Sequence, residues 1–493
     1  MTAVTIRPEL RFILNGQDIA LSDVAPDQTL LDWLRLSRSL KGTKEGCAEG
    51  DCGACTVLVG RLTPAGGLVY ESVNACIRFL GSLDGCHVVT VEHLSGRDGR
   101  LHPVQQAMVD YHGSQCGFCT PGFVMSLYGL WMQTPEPSDR QIEIALQGNL
   151  CRCTGYEPIL RAARAISSYG GTARDPLLVE RTAMISRLQA LRDGARVEIE
   201  NGGKLIVPAD LDDFAAIFAT SPAATVVAGS TDVGLWVTKH MRRISPVIFI
   251  AGLQELKTVS VKDGIISIGA GVTYSEAIET LLQHIPALGE LVNRIGGQQV
   301  RNMGTIGGNI ANGSPIGDTP PPLIALGATL TLRKGAERRT IPLQDFFIAY
   351  GKQDRQPGEF VEAVHVPVPA ADETFAVYKV TKRRDEDITA TLAAFSLKLL
   401  NDGTVAGIRI AYGGMAATPK RAFAVEEALL GQPWNETIVE RAMERYAEDY
   451  APLSDMRATA EYRALVAKNL LLRFYLETTS GAEQAQVSRY EAA

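Results

Sequence analysis

Two sets of four cysteines constrain this chain more than any other feature. One set runs Cys47, Cys52, Cys55 and then Cys76; the other runs Cys116, Cys119, Cys151 and Cys153. Within a close pair, one short turn brings two thiols to a common centre. Each set therefore reads as a ligand group, and the fold has to return distant segments to the same place. Nine cysteines in a chain of 493 residues, without a basic-then-apolar leader at Met1 to Leu10, argue for metal binding over disulfides. Soft thiolates select iron–sulfur clusters, zinc or copper(I).

Cys47, Cys52 and Cys55 have the C-x4-C-x2-C spacing of plant-type [2Fe–2S] sites, whose fourth cysteine is distant. The alternative for eight paired cysteines is two structural zinc sites, whose pairs usually use x2–4 spacings. The loop over residues 42–53 interleaves Gly42, Gly46, Gly50 and Gly53 with three of the cysteines. Such glycines permit positive φ and bare N–H groups, and N–H donors stabilise an anionic cluster. The ninth thiol, Cys86, lies between Gly85 and His87 before a strand-like run and reads as a small buried residue.

Composition narrows the class. Hydrophobic residues make up 46% and charged residues 21%, ordinary for a folded chain with sizeable cores. The net charge of −7 disfavours nucleic acid or an acidic membrane surface as partner. No apolar run approaches the ~20 residues needed to span a bilayer. Length alone implies about three or four domains, and a cytoplasmic location is expected.

Residues 10–21 read as a hairpin around the Asn15-Gly16 type I′ signal. Leu30, Leu31 and Leu34 then share a helical face within 27–36. Strand-like pieces at 56–59 and 88–91 complete a small sheet-over-helix domain. From 100 to 168 the pattern turns helical. Thr120 is placed as a helix cap with Pro121 at the first position, Phe123, Leu127 and Trp131 as core, and Ser138 with Gln141 as a capping box. Cys119 and Cys151 are thereby expected at helix ends. Residues 169–197 read as a linker with a weak helix near 182–191. Thr225 to Asp232 reads as strand, tight turn and helix start, and 304–318 is a second glycine-rich stretch. Alone, these two stretches are equally well nucleotide loops or tight turns. Beyond 371 the pattern is mixed α/β, with a dense charged loop at 382–387 and a frayed end at 481–493.

The motifs Glu45-Gly-Cys47 to Cys55, Gln115-Cys116-Gly-Phe-Cys119-Thr-Pro-Gly, Asn149-Leu-Cys151-Arg-Cys153-Thr-Gly-Tyr and Gly307-Gly-Asn-Ile with Ser314-Pro-Ile-Gly-Asp318 resemble the molybdenum hydroxylases. The order, two clusters and then a flavin domain on one chain, is similar to the small iron–sulfur and flavin subunit of bacterial xanthine dehydrogenases. The resemblance implies a multidomain α+β fold. Its parts are a β-grasp plant-type ferredoxin domain (1–92), a helical [2Fe–2S] domain (93–168), the linker (169–197), a two-part α+β FAD-binding domain (198–370), a C-terminal α/β flavoprotein domain (371–480) and a tail (481–493).

It also implies residue roles. Cys47, Cys52, Cys55 and Cys76 hold the cluster nearer the flavin. Cys116, Cys119, Cys151 and Cys153 hold the cluster nearer molybdenum, with Gln115 and Cys153 toward a pterin on a partner. Val226, Val227, Ala228, Gly229, Ser230, Thr231, Asp232 and Val233 form the first FAD loop. Thr305, Asn309 and Asp318 belong to the second, with Val361 and Lys379 as further flavin-lining positions. Arg383, Arg384 and Asp385 fall in the loop beside flavin and NAD. Ile295 stands where animal members place a phenylalanine beside the flavin ring, and Asp232 replaces a glutamate. The molybdenum domain is absent, so no catalytic residue is assigned here.

The implied function is electron transfer from a molybdopterin-binding large subunit, through two [2Fe–2S] clusters, to FAD and on to NAD+ as acceptor. The implied substrates are purines and the implied assembly a dimer of heterodimers. The alternative is the equivalent subunit of an aldehyde or other N-heterocycle hydroxylase.

Overall fold

The computed structural model describes residues 4–95 and 99–479; the expected frayed end at 481–493 lies outside them. Two compact units result. One comprises Met1–Lys257 together with Gly296–Gly304, the other Thr258–Ile295 together with Thr305–Ala493.

In the first unit, a five-stranded sheet runs in the order Gln17–Leu21, Leu10–Leu14, His87–Val89, Thr56–Leu62, Leu68–Asn74. The hairpin forms as the alternation predicts: Asn15 and Gly16 both have positive φ, 50° and 84°. The helix expected over 27–36 is shorter and wider, an α turn at Leu30–Asp32 that runs into a π-type turn at Trp33–Ser37. Leu30, Leu31 and Leu34 still point inward.

Four helices follow, Pro103–Asp110, Thr120–Gln133, Asp139–Leu146 and Glu157–Ala165. Phe123, Leu127 and Trp131 are buried as expected. Each contributes on the order of 2 kcal/mol through apolar area removed from water. The Ser138–Gln141 capping box is present. Two expectations change. Cys119, not Thr120, is the residue that precedes the helix, and the Thr120 hydroxyl donates instead to Ser114 Oγ at 2.8 Å. Cys151 lies in the irregular stretch between the helices that end at Leu146 and begin at Glu157, not at a helix end.

The stretch 169–197 is largely structured. It contains the helices Pro176–Val179 and Arg181–Leu191, and Leu177, Met184 and Leu188 join the core beneath the four helices. A second five-stranded sheet then forms, ordered Ile6–Arg7, Arg196–Glu200, Lys204–Val207, Val247–Phe249, Thr225–Val227. Its edge strand comes from the N-terminus, parallel to Arg196 and Val197.

The second unit holds a five-stranded sheet, Val259–Lys262, Ile265–Gly269, Phe360–Pro367, Thr329–Lys334 and Glu337–Pro342. It also holds a four-stranded antiparallel sheet, Glu373–Val380, Thr391–Leu399, Val405–Gly413 and Lys420–Arg421. Leu470, Leu471 and Phe474 of the helix Ala460–Thr479 share a core with Phe395 and Tyr412 of that sheet. No described helix is long and apolar enough to cross a membrane.

Candidate functional site

The first cysteine set is built on the loop over 42–53 and on the turn after the strand Leu68–Asn74. Positive φ at Ala48 (55°), Gly50 (80°) and Gly53 (67°) curls the loop. That curl aims the N–H groups of Glu49 and Cys52 at Cys47 Sγ, each at 3.4 Å. Asn74 Nδ2 points at Cys55 Sγ at 3.9 Å. A Cβ at Gly46 would lie 2.8 Å from Cys52 Sγ, so only glycine leaves the sulfur its space. Protons are shared within the set. Bonds from Cys52 and Cys76 hold Cys47 far below the ordinary thiol value. The same bonds push Cys52 and Cys76 up, and a bond from Cys76 lowers the buried Cys55.

The second set is more open: Cys116 and Cys153 are exposed, Cys119 is half-buried and Cys151 is buried. Cys116 and Cys153 stand with their sulfurs 3.5 Å apart. The Phe118 amide and then the Cys153 thiol lower Cys116. Burial pushes Cys119 up to about 12, with its bond to Cys151 adding to the rise. Burial opposes ionisation of Cys151, but the Thr154 hydroxyl at 3.1 Å and amide at 3.5 Å outweigh it. Among the described residues no three Cys, His, Asp or Glu side chains close on one ion-sized point. In the first set the thiols link in a row, Cys52 to Cys47 to Cys76 to Cys55, and in the second they meet as Cys116 with Cys153 and Cys119 with Cys151.

The same unit carries the first glycine stretch, which forms strand, turn and helix as the sequence predicts: Thr225–Val227, then Val233–Thr238. Ser230 is buried at φ 58°, its hydroxyl donating to the Gly229 carbonyl at 2.8 Å. A Cβ at Gly229 would stand 1.7 Å from the Met303 carbonyl, so the turn lies backbone-to-backbone on Met303–Gly304. The helix after it approaches the first cysteine set. A Cβ at Gly234 would meet Ile77, the residue after Cys76, at 2.7 Å, and Lys239 Nζ donates to the Cys47 carbonyl at 2.5 Å.

In the second unit, Thr305 caps the helix Ile306–Asn312, accepting from the Gly308 amide at 2.9 Å. Asn309 Oδ1 accepts from the Thr319 hydroxyl at 2.6 Å. Asp318 accepts from Lys379 Nζ at 2.7 Å and from the Thr389 hydroxyl, and Lys379 also donates to the Arg294 carbonyl at 3.0 Å. Val361 and Ile295 belong to the apolar core of this unit. Arg294 Nε and Nη1 donate to the carbonyls of Arg384 and Lys379, at 3.2 and 3.3 Å, which ties down the charged loop. Sequence pattern offers no sign of Arg294; only the fold reveals that its donors meet the Arg384 and Lys379 carbonyls and the Thr381 hydroxyl.

Four known domain families match the chain in order. They are a 2Fe-2S iron-sulfur cluster binding domain over 12–77 and a [2Fe-2S] binding domain over 90–164. An FAD binding domain in molybdopterin dehydrogenase follows over 198–369, and a CO dehydrogenase flavoprotein C-terminal domain over 376–478. The chain is 33% identical to xanthine dehydrogenase of Drosophila subobscura over 97% of its own length and 40% of that protein's. It is 32% identical to xanthine dehydrogenase/oxidase of Rattus norvegicus over 95% of its length and 39% of that protein's. It thus spans about two-fifths of these relatives. Among solved structures, quinoline 2-oxidoreductase from Pseudomonas putida matches with TM-score 0.50 and 28% identity, over 56% of this chain and 96% of that one. Carbon monoxide dehydrogenase from Hydrogenophaga pseudoflava matches with TM-score 0.51 and 29% identity, over 54% and 93%. With two [2Fe–2S] domains, an FAD-binding domain and a flavoprotein C-terminal domain in sequence, the chain belongs to the molybdenum hydroxylase family as an iron–sulfur and flavin electron-transfer chain.

Proposed function

We propose that this chain draws electrons from a molybdopterin-bearing partner that oxidises a purine, and delivers them to NAD+. The observation that carries the reading is the gathering of eight cysteines into two sets of four in one unit. Beside the first set stands the helix that follows the turn at Gly229. When bound, two [2Fe–2S] clusters would carry single electrons and FAD would exchange them for a hydride; the protein contributes spacing, potential and access.

Cys47, Cys52, Cys55 and Cys76 would hold the inner cluster. The Glu49 and Cys52 amides at Cys47 Sγ fit an anionic group, since N–H donors offset its charge. Cys116, Cys119, Cys151 and Cys153 would hold the outer one, and the exposure of Cys116 and Cys153 supports a partner on that side, with Gln115 beside it. Val226 to Val233, with the bare turn at Gly229, would take the FAD pyrophosphate. Thr305, Asn309, Asp318, Val361 and Lys379 are the further flavin-lining residues of this proposal. The Lys379–Asp318 pair holds the ammonium in place, where a cation favours a reduced, anionic flavin.

The relatives named xanthine dehydrogenase favour xanthine as the substrate of the partner. The match to quinoline 2-oxidoreductase favours the second reading, an N-heterocycle hydroxylase. The deciding experiment isolates the full chain with its bound partner. It then measures iron, flavin and visible absorbance, and NAD+ reduction with xanthine, quinoline and an aldehyde. About four irons and one flavin per chain, with xanthine-driven NADH formation, are expected. A colourless, zinc-containing protein would refute the reading.

A further inference from the structure

The short segment Gly296–Gly304 belongs with Met1–Lys257, although the chain on either side of it belongs to the other unit. Its residues reach segments next to both cysteine sets and the turn at Gly229. Asn302 Nδ2 donates to the Ser72 carbonyl at 2.9 Å, on the strand that leads to Cys76. Arg301, 1% exposed, donates to Gln147 Oε1 at 2.9 Å, on the approach to Cys151. The Met303 carbonyl lies against Gly229.

Gln299 sits deepest, fully buried. Its Nε2 donates to Thr56 Oγ1 at 3.1 Å, one residue beyond Cys55. Ser126 Oγ at 3.1 Å and Asn149 Oδ1 at 2.9 Å also lie within hydrogen-bond distance of it, so its two hydrogens are shared among three acceptors. Ser126 closes the network by donating to Asn149 Oδ1 at 2.7 Å, and Asn149 Nδ2 reaches the Gly53 carbonyl at 3.3 Å. One amide therefore fastens the segment bearing Cys52 and Cys55 to the segment bearing Cys151. Among the described residues Gln299 Oε1 has no partner, so the contacts of this amide run through its Nε2.

We infer that Gln299 is a positioning residue for electron exchange between the two cysteine sets, setting their separation and relative orientation. The inference rests on the proposal that both sets hold [2Fe–2S] clusters. Exchange moves one electron, oxidising one site and reducing the other, with no bond or proton change, so distance and orientation govern its rate.

The test uses the full chain carrying Gln299→Leu, which keeps most of the volume and removes the donors. Iron per chain and visible absorbance are measured first. The magnetic splitting between the two reduced sites is then read by electron paramagnetic resonance, and the exchange rate by flash reduction. Expected are wild-type iron and absorbance, a changed splitting and a slowed exchange. Unchanged splitting and rate at full iron overturn the inference and leave the proposed function intact. Loss of iron from a folded Gln299→Leu chain overturns it too, because that is a site-forming role. A wild-type chain without iron sinks both. Should Gln299→Leu not fold, Ser126→Ala, which removes one acceptor, is judged by the same splitting and rate.

Discussion

The amide of Leu150 donates to the carbonyl of Cys52 at 3.0 Å, so the neighbour of Cys151 is bonded directly to a member of the other sulfur set. Glycines permit this approach. A Cβ at Gly53 would stand 2.0 Å from the Gly148 carbonyl, and one at Gly122 would stand 2.2 Å from the Gly53 carbonyl. Gly53 also has φ +67°. Gly53→Ala adds backbone strain to a clash with backbone atoms that cannot rotate away, together about 2–4 kcal/mol. A fall of several degrees in the unfolding midpoint is expected, and an unchanged midpoint would contradict the close approach.

The Lys379–Asp318 pair is buried, with side chains 2% and 10% exposed. Lys379→Ala leaves the Asp318 carboxylate with the Thr389 hydroxyl and no cation, and removal of one partner of such a pair costs about 3–5 kcal/mol. Lys379→Met combined with Asp318→Leu should recover much of that in denaturant melts, because no charge is then stranded. Flavin reduction should slow in Lys379→Ala while the absorbance of the iron sites persists. A double variant as unstable as the single one would show that the pair is not the source of the loss.

Much of this was legible from short patterns whose physics is local. The Asn15-Gly16 turn, the Ser138–Gln141 capping box and the strand–turn–helix at Gly229 each depend on a few neighbouring residues, and all appear. What stayed illegible is non-local. Nothing near Ile6 announces a parallel partner at Arg196, and nothing in residues 296–304 announces that they join the other unit from their neighbours. The stretch 169–197 read as a linker because Tyr169 to Pro176 is rich in structure breakers. Burial of Leu177, Met184 and Leu188 against a preformed core orders it regardless. The placing of Cys151 at a helix end failed for a similar reason. Thr154 and Tyr156, whose hydroxyl accepts from the Cys151 amide at 3.0 Å, organise an irregular loop that periodicity cannot detect.

His87 is 1% exposed, its Nδ1 shares a hydrogen bond with the Tyr70 hydroxyl across 2.8 Å, and its Nε2 has no partner among the described residues. Burial pushes it down to about 3 from 6.5. Between those values the unfolded chain binds a proton that the folded chain refuses. Stability therefore falls as pH drops from about 6.5 toward 3, by at most about 1.4 kcal/mol per pH unit, and His87 contributes no slope above that window. His87→Phe paired with Tyr70→Phe should flatten the slope of urea midpoints between these pH values. An equally steep slope in the variant would place the acid sensitivity elsewhere.

Cys86 is the thiol that neither set uses. It is buried, burial raises it, and its sulfur has only a weak approach to the Asp84 carbonyl at 3.9 Å. Cys86→Ala should cost about 1 kcal/mol and leave iron content and visible absorbance unchanged. Cys55→Ala, by contrast, should remove about half the iron if its set holds one of two equal clusters. Loss of iron from Cys86→Ala would mean that the ligand assignment is wrong.

Asp175 anchors the stretch that follows the four helices. One carboxylate oxygen accepts from the Tyr128 hydroxyl at 2.8 Å and the Leu177 amide at 2.9 Å, and the other faces His102 Nε2 at 2.9 Å. The carboxylate is wholly buried and His102 nearly so, with the imidazole set edge-on to Tyr128 and Trp131. Asp175→Ala strands three donors at once. Each unsatisfied buried donor costs about 1–3 kcal/mol, so a loss of about 3 kcal/mol or more is expected. Asp175→Asn retains one oxygen for Tyr128 and Leu177 and should lose less. Because Leu177 and Leu188 share the core beneath Trp131, the break should spread along 176–191, and faster amide exchange there at unchanged exchange in Leu10–Leu14 is the signature. Uniform exchange changes across the whole unit would mean that Asp175 acts on global stability and does not pin this segment.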